Sequence, residues 1–198
     1  RGKLRCGARP STNVRREQNY MVSWISMLLG SFRPKKLSPA EQSLDSYEKG
    51  VAAIGKSKTA QAIMHFSDAI SSAPNSSKLY HHRADAFALN GQHLEAITDY
   101  DVAVRIDPSY ADTYLDRGNS RYALGHLPDA VKDFSEAIRL RIDWAEAYAN
   151  RAVAHVELDN QTESDQDAER ARSLGVKQSR LNEMLETAKA PEADNYRY

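Results

Sequence analysis

Arg83, Arg117 and Arg151 stand 34 residues apart, and each is followed sixteen residues later by an aspartate: Asp99, Asp133 and Asp167. Two chemistries suit such a series. Three guanidinium groups can line a site for carboxylates or phosphates, which a planar fork of donors grips in parallel bonds. Alternatively, each arginine pairs with its own aspartate inside the frame, because charges shielded from water are normally partnered. The first copy of the pattern has Lys49 and His65 at these positions, so arginine and aspartate vanish together. That co-occurrence favours the internal ion pair. Removing one partner from a well-buried pair costs on the order of 3 kcal/mol.

Other chemistry is sparse. His81 and Asp85 are four residues apart on one helical face and could touch one metal ion. Two ligands do not complete a site, and the sequence places no third, so no metal or cofactor is expected. His155 falls at an inward position and reads as a hydrogen-bonded core histidine. Glycine-rich phosphate loops, nucleophile elbows and HExxH patterns do not occur, so an enzyme is not expected. The lone cysteine, Cys6, can form no internal disulfide.

The elements that position these side chains follow from the period. Small residues recur at Gly50, Ala84, Gly118 and Ala152. A second row is Ala62, Ala96, Ala130 and Ser164; a third is Ala69, Ala103, Ala137 and Ala171. Between them stand Phe66, Tyr100, Phe134 and Ala168, and Tyr80, Tyr114 and Tyr148 form a further row. All are spaced by 34 without gaps. Within a copy the apolar spacing is helical, and Asn90-Gly91-Gln92 leaves room only for a tight turn between two antiparallel helices. Pro108 ends the second helix of its copy. Ile142 replaces it one copy later, and a less sharp junction is expected there. A helix pair of this kind cannot bury both faces alone, so neighbours must stack.

These residues resemble the tetratricopeptide repeat (TPR) family: Tyr80, Ala84, Phe87, Gly91, Ala96, Tyr100, Ala103 and Pro108 in one copy, and Tyr114, Gly118, Gly125, Ala130, Phe134 and Ala137 in the next. The resemblance implies an all-α fold, a right-handed superhelical solenoid of four helix-turn-helix repeats at 43–76, 77–110, 111–144 and 145–178. The fourth copy departs from the pattern at Ser164, Asp165 and Ala168, so its second helix is expected to be partly solvated. Ser38-Pro39-Ala40-Glu41 reads as a helix start with a capping box. Leu181, Met184, Leu185 and Ala188 form an apolar stripe, which resembles the family's solvating C-terminal capping helix, here at 178–190. The TPR domain is thus expected over 38–190, with a loose tail at 191–198.

In this family the first helix of each pair lines a concave face. Carried over by position, that face includes Glu48 and Val51, then Lys78, His81, His82, Asp85 and Leu89. It continues with Asp112, Leu115, Asp116, Asn119 and Tyr122, then Glu146, Asn150 and Val153. Acids outnumber bases, with Lys78 the lone cation of the set. Some family members hold chaperone C-terminal carboxylates in a lysine–asparagine clamp. The clamp positions here carry Tyr47, Val51, His82, Asp112 and Asp116, which disfavours that ligand. The groove suits a basic or polar peptide with a few apolar anchors. The resemblance therefore implies a non-enzymatic adaptor that binds a protein or peptide partner.

The chain carries 27 basic and 27 acidic residues, but unevenly. Residues 1–36 hold nine Lys/Arg and one acid, leaving an acidic body unsuited to tracking nucleic-acid phosphates. Within the basic extension (1–37), residues 21–32 have helical apolar spacing: Met21, Trp24, Ile25, Leu28, Leu29 and Phe32. This run is too short to span a bilayer. It can pack on protein, lie on a membrane surface or belong to a transit segment. The corresponding readings are a cytoplasmic adaptor, a membrane-associated assembly factor and an imported protein. A regulatory fragment of a larger enzyme is a further alternative. The chain starts at Arg1, and Met21 is a second candidate start. Whether copies associate with one another is open.

Overall fold

The computed structural model describes residues 37–189. The expectations placed on 1–36, including the helix carrying Met21 to Phe32, and on 190–198 lie outside the described residues.

Among the described residues there are nine helices and no strands: α1 (Pro39–Ile54), α2 (Thr59–Ser72), α3 (Ser77–Leu89), α4 (His93–Ile106), α5 (Ala111–Ala123), α6 (Leu127–Leu140), α7 (Ala145–Glu157), α8 (Gln161–Ser173) and α9 (Gln178–Lys189). None is long and apolar enough to cross a membrane. Successive helices pair as α1/α2, α3/α4, α5/α6 and α7/α8, and each pair stacks on the next to form a repeat solenoid. The first helix starts as its sequence dictates. Ser38 accepts from the Glu41 backbone N–H at 3.2 Å, and the Glu41 carboxylate accepts from the Ser38 N–H at 2.8 Å.

The packing inside a repeat shows why small and aromatic residues alternate. A Cβ added to Gly118 would sit 2.6 Å from the Phe134 ring, and one added to Gly50 would sit 2.6 Å from Phe66. Glycine is therefore found where phenylalanine fills the crossing. Ala84 and Ala152, by contrast, face Tyr100 and Ala168 in their copies. The Tyr100 hydroxyl donates to Asp85 at 2.8 Å, which anchors that ring to its own repeat. The turn between paired helices also repeats its conformation. Gly91 and Gly125 have φ of 76° and 73°, and the same position in the outer copies is Ser57 at 55° and Asp159 at 58°. Those two side chains tolerate a left-handed geometry that glycine adopts without cost.

Two sequence expectations are corrected. The α6–α7 junction is as sharp as its counterpart without the proline. Arg141 closes α6 at φ −139°, ψ 90°, and Asp107 closes α4 at φ −135°, ψ 95°. Ile142 is simply exposed there. The second helix of the fourth repeat, α8, is partly solvated as expected: Gln161, Thr162, Glu163, Asp165 and Gln166 are exposed, while Ser164 is wholly buried and Ala168 is buried. His155 is only half-buried, 3.4 Å from Asn160 at the helix end, and is not part of the core.

The array ends on α9. Leu181 and Ala188 are buried, with Met184 and Leu185 packed beside them against Val153, Val156 and Tyr122. The stripe covers α7, whose exposed face would otherwise present the next repeat's docking surface to water.

Candidate functional site

The arginine series is consumed by the frame. Arg83 donates to both Asp99 oxygens at 2.6 and 2.8 Å, Arg117 to Asp133 at 3.0 and 2.6 Å, and Arg151 to Asp167 at 2.7 and 2.7 Å. Each guanidinium also donates backwards to the preceding repeat. Arg83 reaches Ser67 at 3.0 Å, Arg117 reaches Asp101 at 2.6 Å, and Arg151 reaches Ser135 at 2.9 Å. A tyrosine three residues earlier (Tyr80, Tyr114 or Tyr148) lies under each guanidinium at 5.4 to 5.7 Å. Each arginine therefore ties its own helix pair to the previous one. The acceptor row Ser67, Asp101 and Ser135 has the same 34-residue period, a signal the sequence carries beside the aspartates. Asp133 is nearly sealed from water: burial pushes its carboxyl up while Arg117 and Arg121 pull it back.

The first helices of the repeats line a continuous set of clefts. One of about 400 Å³ is bordered by Asp85, Leu89, His93, Tyr100, Asp116 and Asn119. A second, about 160 Å³, shares Asn119 and adds Tyr122, Asn150 and Val153. A third, about 560 Å³, runs from Glu146 and Asn150 to Lys177, Arg180 and Met184 beside the capping helix. Asn150 donates to Asn119 across two repeats at 2.8 Å, joining the neighbouring clefts. The Tyr122 hydroxyl is bonded to Glu157.

Two groove residues of the sequence reading are displaced from it. Leu115 is a core residue, 4% exposed, and His81 is equally buried. Both belong to the row Tyr47, His81, Leu115 and Ala149, which packs towards the next repeat and does not face the open cleft. The apolar character of that row was the available clue. Lys78 is not free in the groove either: its ammonium lies over the Tyr47 ring at 4.7 Å. Nor is it the only cation of this face, because Lys177 and Arg180 enter at the capping end.

The acids converge. Asp116 faces Asp85, Asp112 and Glu146, and burial together with these three like charges pushes its carboxyl up to about 7. Asp112 receives Arg141 at 2.6 Å, and Arg141 stacks 3.9 Å over Trp144. The neighbouring histidines are held from several helices. His81 Nδ1 is 3.1 Å from the Thr113 hydroxyl, and His82 Nε2 is 3.2 Å from the Tyr47 hydroxyl. Burial lowers the His81 pKa, so the ring is neutral near pH 7. Tyr47 and His82 thus form an aromatic pair beside the exposed Val51 and the carboxylates of Asp112 and Asp116, with no lysine or arginine among these five residues.

Comparison with known proteins follows this geometry. Residues 84–125 match a family described as TPR repeat, and residues 115–173 match one described as tetratricopeptide repeat. No curated protein matches the chain by sequence. Among solved structures, the first TPR of Spaghetti (RPAP3) bound to the HSP90 peptide SRMEEVD is 27% identical with a TM-score of 0.60, covering 61% of this chain and 95% of that one. The Arabidopsis OM64 TPR domain is also 27% identical, with a TM-score of 0.58 over 59% of this chain and 97% of that one. MamA, at 18% identity and a TM-score of 0.69 over 75% of this chain and 81% of its own, shares the fold. Repeated helix pairs, matched sequence and matched architecture agree, and residues 84–173 of the chain are built of tetratricopeptide repeats.

Proposed function

We propose that this chain is a non-enzymatic adaptor whose groove holds a protein or peptide segment bearing basic side chains. One observation carries the proposal: Asp116 lies among Asp85, Asp112 and Glu146, so carboxylates from three repeats converge on it, and of the four only Asp112 has a close arginine. A lysine or arginine of a partner would relieve that repulsion directly. Leu89, Tyr122 and Val153 border the same clefts and supply apolar contact. Lys177 and Arg180 at the capping end would receive the partner's acidic or carboxylate groups, which gives the segment a direction.

A chaperone-tail reading deserves weighing, because the Spaghetti repeat and the second TPR of human RPAP3 are seen with HSP90 and HSP70 peptides. Those peptides end in EEVD. Asp112 and Asp116 at the clamp positions would repel them. The test is an array of immobilised peptides of varied charge, probed with the native chain and with an Asp112→Lys, Asp116→Lys double variant. The native chain should select lysine- and arginine-bearing peptides, and the variant should lose that preference. An unchanged preference would discard the acidic groove.

A further inference from the structure

We propose that His81, His82, Asp85 and Asp116 form a binding site for a single divalent transition metal, of which zinc is the best fit. The site lies where α3 meets α5. His81, His82 and Asp85 occupy positions i, i+1 and i+4 of one helix, so the aspartate sits between the two rings. Their ligating atoms all lie within 4.8 Å of one another. His81 Nε2 is 3.4 Å from Asp85 Oδ2, His82 Nδ1 is 3.2 Å from the same oxygen, and His81 Nε2 is 3.8 Å from Asp116 Oδ2. Around tetrahedral zinc, with bonds near 2.0–2.1 Å, ligand atoms stand about 3.3 Å apart. The three distances of 3.4, 3.2 and 3.8 Å lie near that edge length.

The surroundings argue more strongly than the distances. A ligating histidine normally has its second nitrogen held by another group, which fixes the ring and its tautomer. Here Thr113 of α5 takes His81 Nδ1 and leaves Nε2 facing the carboxylates. Tyr47 of α1 takes His82 Nε2 and leaves Nδ1 facing Asp85. Tyr100 of α4 donates to Asp85 Oδ1 and leaves Oδ2 facing both rings. Three hydroxyls from three other helices thus orient three ligands onto one point. The next repeat gives a comparison within the molecule. The counterparts of Asp85 and Asp116 are Asn119 and Asn150, which bond each other directly. Two carboxylates have no such bond unless they share a proton, and a cation between them would take that proton's place. Nitrogen and oxygen ligands in a tetrahedral arrangement suit zinc, whereas copper, which stands above zinc in the usual affinity order, and nickel prefer tetragonal sites. Bound metal would lock the second repeat to the third at the groove.

The site shares Asp85 and Asp116 with the proposed peptide groove, so it is tested without peptide. The full chain, cleared of metal with a chelator, is titrated with Zn²⁺ against a chromophoric competitor. The comparison variants are His82→Ala, Asp85→Asn, Asp116→Asn and, as control, the exposed His126→Gln. The native chain should bind one Zn²⁺, His82→Ala and Asp85→Asn should weaken binding at least tenfold, and His126→Gln should bind as the native chain does. Metal-free circular dichroism should show every variant folded, and Co²⁺ should give the visible spectrum of a tetrahedral N/O site. Binding that is absent in the native chain, or equal in the folded His82→Ala and Asp85→Asn variants, overturns the proposal.

Discussion

Arg117 and Asp133, sixteen residues apart, meet in two parallel hydrogen bonds of 3.0 and 2.6 Å between α5 and α6. The same guanidinium donates to Asp101 of the preceding repeat at 2.6 Å. Replacing Arg117 by alanine leaves Asp133, whose side chain is 3% exposed, with Arg121 as its remaining partner. The expected loss is about 3 kcal/mol, the low end for a broken buried pair. Arg117→Lys should recover only part of it, because an ammonium cannot make the fork. Urea denaturation of the two variants reads this directly, and equal stabilities would remove geometry from the explanation.

The Gly118–Phe134 crossing gives a second expectation. A methyl group at Gly118 would meet the ring at 2.6 Å, so Gly118→Ala should destabilise by about 1–3 kcal/mol through overpacking. Pairing it with Phe134→Leu should restore part of the loss, since the smaller side chain frees the space. Thermal melting of the single and double variants checks the coupling.

Asp159 adopts φ 58° where the inner repeats have glycine. Asp159→Gly should therefore stabilise the chain by about 1 kcal/mol, the cost of a left-handed residue with a Cβ. A raised denaturation midpoint with an unchanged slope is the expected result.

The capping helix makes a fourth case. Leu181, on the inner face of α9, is 1% exposed, and Leu181→Ala should cost about 2–5 kcal/mol. Hydrogen exchange should quicken first in α9 and α7, because each repeat supports only its neighbours.

The repeat frame was legible in the sequence because it is periodic. Arg83 and Asp99 recur together, as do Gly118 and Phe134 with their copies, and each pair lies within one helix pair whose spacing the chain fixes. What crosses between repeats was harder to see. Leu115 was placed in the groove, yet its row packs towards the next repeat, because one residue of helix rotation separates the lining row from the stacking row. The meeting of His82 with Tyr47, and of His81 with Asp116, depends on how far one repeat turns on the next. No single copy encodes that turn. Lys177 and Arg180 lie outside the first helices that define the groove by position: Lys177 is in the turn after α8 and Arg180 is on the capping helix.

Charge selection in the groove is the centre of the functional account. Fluorescence anisotropy of two labelled heptapeptides, SRMEEVD and its acid-to-lysine form SRMKKVK, measures it most directly, with chelator present so that no metal neutralises Asp85 or Asp116. The account predicts that the basic peptide binds more tightly, that its affinity falls as salt rises, and that Asp116→Lys reverses the order. Tighter binding of SRMEEVD by the native chain would contradict it.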